Sequence, residues 1–148
     1  MKTEEHLFDV VPKYKLYNET AVRVGVFFGG PIVAGYLIAE NFKLLGLSEK
    51  QKSTWIYAII ATIVIIGGSF IVPGSERFPK FIIPLAYAWI ASFLVQYYQG
   101  KNIKSHVESG GQLYSVGRAI LIGLMGTIIT VAIIFLIVLL TDKQLTLF

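Results

Sequence analysis

His106 and Glu108 sit two residues apart in the stretch SHVESGG, a histidine beside a carboxylate. The pair is short of a metal site, because a zinc ion takes three or four protein ligands and His6 is far away in sequence. General acid–base work would need a pocket that sets one of these groups against a substrate. A solvated surface pair is the plainer expectation. Glu40 and Lys43 are spaced for a local ion pair on a helix. Glu19 and Arg23 flank an apolar block. A charge at membrane depth is costly and often functional, yet an arginine at a helix end can snorkel to the headgroups.

A richer constellation lies inside the apolar sequence. Tyr87, Trp89 and Gln96 are polar or amphipathic groups in one apolar run. Gly29, Gly30 and Pro31 interrupt another. Pro31 lacks the N–H that a helix interior uses, and the two glycines weaken the same turn. Half-helix ends expose unpaired backbone groups, and transporters bind ions on them. With Arg23, these six are the candidate functional or packing residues. The chain has no H-E-x-x-H, G-x-S-x-G or phosphate-loop pattern. No catalytic residue, cofactor or metal is expected.

The elements that must position these groups are apolar. Hydrophobic residues make up 55% of the 148 and charged residues only 15%. A soluble domain runs nearer 25% charged. The apolar residues fall in blocks, and blocks of about 18 or more imply membrane-spanning helices. The net charge of +4 is spread over the connections without a dense basic run. That pattern favours lipid headgroups over nucleic acid as the partner. With no cysteine, disulfides and thiolate metal sites are excluded. Residues 1–20 read as a polar arm rather than a signal peptide.

Full transmembrane helices are expected at 55–72, 81–98 and 119–140, the first capped by Ser53 or Thr54. The 99–118 stretch, with its Gly110-Gly111, reads as a polar connection. The opening block, 21–42, is the ambiguous one. Its apolar part, 24–39, would reach only about 24 Å as a helix, against a hydrocarbon core of about 30 Å. Charge bias separates the two readings. If all four blocks cross, the 13 basic residues divide seven to six between the two sides, which is no bias. If 21–42 does not cross, only Arg77, Lys80 and Lys143 lie opposite the other ten. Cytoplasmic connections are enriched in Lys and Arg. The expected fold class is therefore an all-α integral membrane protein: three full spans plus a broken, re-entrant segment. The N-terminus would lie inside and the C-terminus outside. A four-span bundle is the alternative.

Small residues form stripes suited to helix packing, such as Gly25 and Gly29 in the first block and Ala119, Gly123 and Thr127 in the last. They could equally serve a homo-oligomer. FFGGPIVAG and IIGGSFIVPG look alike, which raises a repeat. At GGPIVAGYLIAENFKLLG and FIIPLAYAWIA the chain resembles small bacterial multi-pass membrane proteins. The resemblance implies a bacterial inner-membrane location and no activity. The function expected is non-enzymatic contact, as an accessory subunit of a membrane complex or an immunity or protection factor. A small oligomeric transporter or channel using the broken helix is the alternative, and a lipid-acting enzyme a third.

Overall fold

The computed structural model describes residues 11–71, 79 and 81–145, with side chains for 11–68, 79 and 81–140. Most of the expected 74–80 turn, the first ten residues and the end of the tail lie outside the described residues. Among those described, the chain is helical: α1 (Glu19–Leu44), α2 (Ser48–Ile71), α3 (Ile82–Glu108) and α4 (Val116–Leu145). Two short strands, β1 (Lys15–Leu16) and β2 (Gln112–Leu113), pair in parallel, Lys15 opposite Gln112 and Leu16 opposite Leu113.

α1 opens at Asn18, whose side-chain oxygen accepts the Ala21 N–H at 2.8 Å. That is an N-cap, and Glu19 in the first turn suits the positive end of the helix dipole. The helix breaks at Gly30, with φ +75° and ψ −172°. Each residue of the Gly-Pro pair has its own reason. A following proline pushes its predecessor's ψ into the extended range, and the positive φ is one that only glycine takes cheaply. Pro31 then occupies the first position of a new helical arm, where a missing N–H costs nothing.

The break folds the chain back. The Tyr17 N–H donates to Asn41 Oδ1 at 2.8 Å, and Asn41 Nδ2 donates to the Tyr17 carbonyl at 2.8 Å. Residues 24 apart in a straight helix would be about 36 Å apart. A Cβ added to Gly25 would meet a Leu37 methyl at 3.0 Å. α1 is thus a helical hairpin of two arms, 19–29 and 31–44, with Gly30-Pro31 at its tip.

The hairpin is the core. Val22, Val26, Val33, Leu37 and Phe42 are buried in one cluster with Leu16 of β1 and Tyr17. α2, α3 and α4 each pack on α1, and among the described residues no two of them pack on each other to a comparable extent. The small-residue stripes do the fitting. A Cβ on Gly25 would lie 2.8 Å from the Ala119 carbonyl, and one on Gly29 would lie 2.8 Å from Gly123 Cα. Gly35 meets Ala58 on α2. On α3, Ala88, Ala91, Ser92, Val95 and Gln99 face inward.

Three helices are long and apolar enough to cross a membrane: Glu19–Leu44, Ser48–Gly68 and Val116–Leu140. Their membership differs from the expected three. α1 qualifies by residue count and composition, since it runs past its apolar block to Glu19 and Leu44, although the break at Gly30 folds it into two shorter arms. α3 is not among them, diluted by Gln96, Gln99 and its tyrosines. The boundaries also move. α2 begins at Ser48, so Ser53 and Thr54 are not caps; their hydroxyls donate back to the Glu49 and Lys50 carbonyls. α3 continues to Glu108 through the expected loop, because Ile103 and His106 extend its buried stripe. The suggested repeat is not structural: Gly67 and Gly68 stay helical where Gly30 breaks. The second pair lacks the proline.

Candidate functional site

Polar groups gather at the open end of the hairpin. Asn41 bridges outward as well as back: its Nδ2 also donates to Gln99 Oε1 at 2.8 Å. Gln99 Nε2 in turn donates to the Ile38 carbonyl at 3.0 Å. Both side chains are fully buried. The amide orientations follow from the partners, since the Tyr17 N–H can only donate and both carbonyls can only accept. This clamp ties the extended chain before α1 to the end of α1 and to α3.

A cap lies over the clamp. Tyr17 stacks on Tyr114 with ring centroids 4.4 Å apart, and Arg118 lies 4.3 Å over the Tyr114 ring. Arg118 Nε donates to the Tyr17 hydroxyl at 3.0 Å. Burial pushes the Tyr17 phenol above its ordinary range, and the Arg118 hydrogen bond and charge oppose this more weakly. Tyr14 stacks on His106 at 4.8 Å. His106 Nε2 lies 3.0 Å from the Gln112 carbonyl, so it carries the proton. Its Nδ1 is buried and has no hydrogen-bond partner among the described residues.

At the tip, the Thr127 hydroxyl reaches the Phe28 carbonyl. That carbonyl is one of those the first arm leaves open, so α4 caps the arm. Beside the first arm, the Arg23 guanidinium sits 4.7 Å over the Trp89 ring. Val24, Phe27, Leu85 and Ala88 complete a shallow cavity of about 320 Å³ around them. Beside the second arm, an apolar groove of about 510 Å³ runs between α2 and α3.

The expected candidates therefore separate. Gly29, Gly30 and Pro31 form the hairpin tip. Arg23 and Trp89 pair on one side of the hairpin, with Trp89 56% exposed. Tyr87 and Pro31 line the groove on the other side. Gln96 is exposed and joins neither site. The buried glutamine is Gln99, three residues on, and its partner Asn41 is not among the candidates read from the sequence. A signal existed: 88, 92, 95, 99, 103 and 106 keep the three-and-four spacing of one helix face. Glu40 and Lys43 pair at 3.6 Å as their spacing suggests. Glu108 turns to Lys104 at 3.9 Å, away from His106. Among the described residues no three His, Cys, Asp or Glu side chains group together.

The fold thus defines a helical chain with three helices long and apolar enough for a membrane, built around a hairpin. Comparison with known proteins supplies no relative: no family model, no curated protein and no solved structure matches the chain.

Proposed function

We propose that this chain is a non-enzymatic integral membrane protein that works by contact, as an accessory or protective subunit on a partner membrane protein or in a homo-oligomer. In this reading α2 and α4 cross the bilayer, and α3, more polar but 27 residues long, crosses with them against α1. α1 enters and leaves on one side as a re-entrant hairpin. Arms of 11 and 14 residues reach only about 17 and 21 Å, so the tip lies near the midplane of a core of about 30 Å. The hairpin ends, the first turns of α2 with Lys50 and Lys52, and the last turns of α3 with Lys101 and Lys104 then share the lysine-rich face, which is cytoplasmic by charge bias. A bacterial inner membrane is the setting the sequence resemblance suggests.

The observation that carries the contact reading is where the polar groups are spent. Asn41, Gln99 and Thr127 bond within the bundle. What faces outward on α2 and α4 is a bare apolar surface, Ile63 and Val64 on one, Ile128 and Phe135 on the other. A pore through one copy has less in its favour, because Thr127 already caps the Phe28 carbonyl and the groove beside Pro31 is apolar.

Photo-crosslinking residues placed at Ile63 and Ile128 in living cells test this. A discrete protein adduct at either position is the expected result. Lipid adducts alone at both positions, with monomeric purified protein, would overturn it.

A further inference from the structure

We propose that the groove along the second arm of α1 holds one acyl chain of an anionic phospholipid, with Lys50 receiving the headgroup. The proposal rests on the membrane-embedded reading above. The groove has a polar end and an apolar end. Lys50, Ser53, Thr54 and Tyr98 line it beside Phe42, at the open end of the hairpin. Pro31, Ile65 and Tyr87 line it at the tip. Its floor is open because the residues there are small: Ala34, Gly35, Ala58, Ala61 and Ala91.

Size and charge choose the occupant. From Lys50 to Ile65, α2 rises about 22 Å, enough to run from the headgroup layer through one leaflet of about 15 Å. The groove, about 510 Å³ spread along that length, is long and narrow. A single hydrocarbon chain, whose carbons keep about 4 Å from their neighbours, fits. Lys43 and Lys52 are matched to Glu40 and Glu49. Lys50 has no carboxylate partner among the described residues and lies 5.9 Å over the Phe42 ring at the groove's mouth. An unmatched ammonium there complements a phosphate.

The test uses the full chain reconstituted into vesicles of equal phosphatidylglycerol and phosphatidylcholine. The protein is then extracted with detergent, and the lipid it retains is weighed by mass spectrometry. About one phosphatidylglycerol per chain should be retained, preferred about fivefold over phosphatidylcholine, the scale of one lysine at an anionic surface. Lys50→Glu should abolish the preference. Ala61→Phe, which fills the groove, should cut retention of both lipids while the thermal melt holds. If Ala61→Phe fails to fold, Lys50→Glu, on an exposed turn, decides alone. No preference in the unmodified chain, or equal retention by folded Ala61→Phe, would overturn the proposal. So would a protein adduct in place of a lipid adduct from a photo-crosslinker at Tyr57. Flotation with the vesicles is read separately. A chain that does not float refutes the membrane reading, and one that floats without retained lipid refutes the groove alone.

Discussion

Single residues decide whether this hairpin closes. Asn41 satisfies three buried groups at once: the Tyr17 N–H, the Tyr17 carbonyl and Gln99 Oε1. Each buried polar group left unpaired costs about 1–3 kcal/mol. Asn41→Ala should therefore lose about 3 kcal/mol or more in detergent unfolding, while Gln96→Ala, on the exposed face, stays within about 0.5 kcal/mol. Equal effects would refute the clamp. Gly30 is needed for its backbone alone, since nothing lies within 4 Å of an added Cβ. Gly30→Ala should cost about 1–3 kcal/mol of strain without any clash. Gly67 has equal space and no positive φ, so Gly67→Ala should be neutral or gain up to about 1 kcal/mol. Tyr17 gives a pH signature. Its folded phenol holds its proton above the ordinary value of 10.0. The stability it contributes is complete below pH 10 and falls as pH rises from there through the raised folded value. In ultraviolet titration, Tyr17→Phe should remove a late-ionising tyrosine; loss of an ordinary one would refute the buried cap.

At the scale of the element, the break in α1 was legible and its consequence only half so. Gly29-Gly30-Pro31 announces an interruption through chemistry that any reader can apply. The fold-back, however, rests on Asn41 finding Tyr17 and on Gly25, Gly29 and Gly123 bringing backbones together, and neither is a local property. The glutamines differ for the same reason: Gln96 stands inside the apolar run and Gln99 opens a polar stretch, and only the face that α3 turns to α1 makes Gln99 the buried one. The polar composition of 99–108 hides the length of α3, whose buried spacing runs on to Ile103 and His106. Two measurements test the element. Spin labels at Asn18→Cys and Lys43→Cys are unique, since the chain has no cysteine. A straight helix would hold them about 37 Å apart; the hairpin should bring them to well under half of that. Gly123→Val should cost about 1–3 kcal/mol through overpacking, because even a Cβ at 123 would meet Phe28 Cβ at 3.1 Å. Free accommodation of valine would mean that α4 does not sit against the first arm.

The whole molecule sets a hidden core against a plain exterior. Its most buried helix is the one that turns round, and the three around it present apolar faces outward. In the proposed membrane reading, that arrangement sets the depth of each end. α2 starts beside the open end of the hairpin and leaves past its tip. α3 returns to the clamp, and α4 departs again from Arg118. The N-terminal arm, Lys50 and Arg118 should then share one side of the membrane, with residue 148 on the other. Reporters fused after Lys50 and after Phe148 should read inside and outside respectively. A hairpin that opened into a full crossing would send Lys50 outside and bring Phe148 in, reversing both signals. Because ten of the 13 basic residues fall on the side assigned to Lys50, replacing Lys101 and Lys104 with glutamine should weaken the orientation without inverting it. Complete inversion from that change would mean that the C-terminal connections alone set topology and that the hairpin's own lysines contribute nothing.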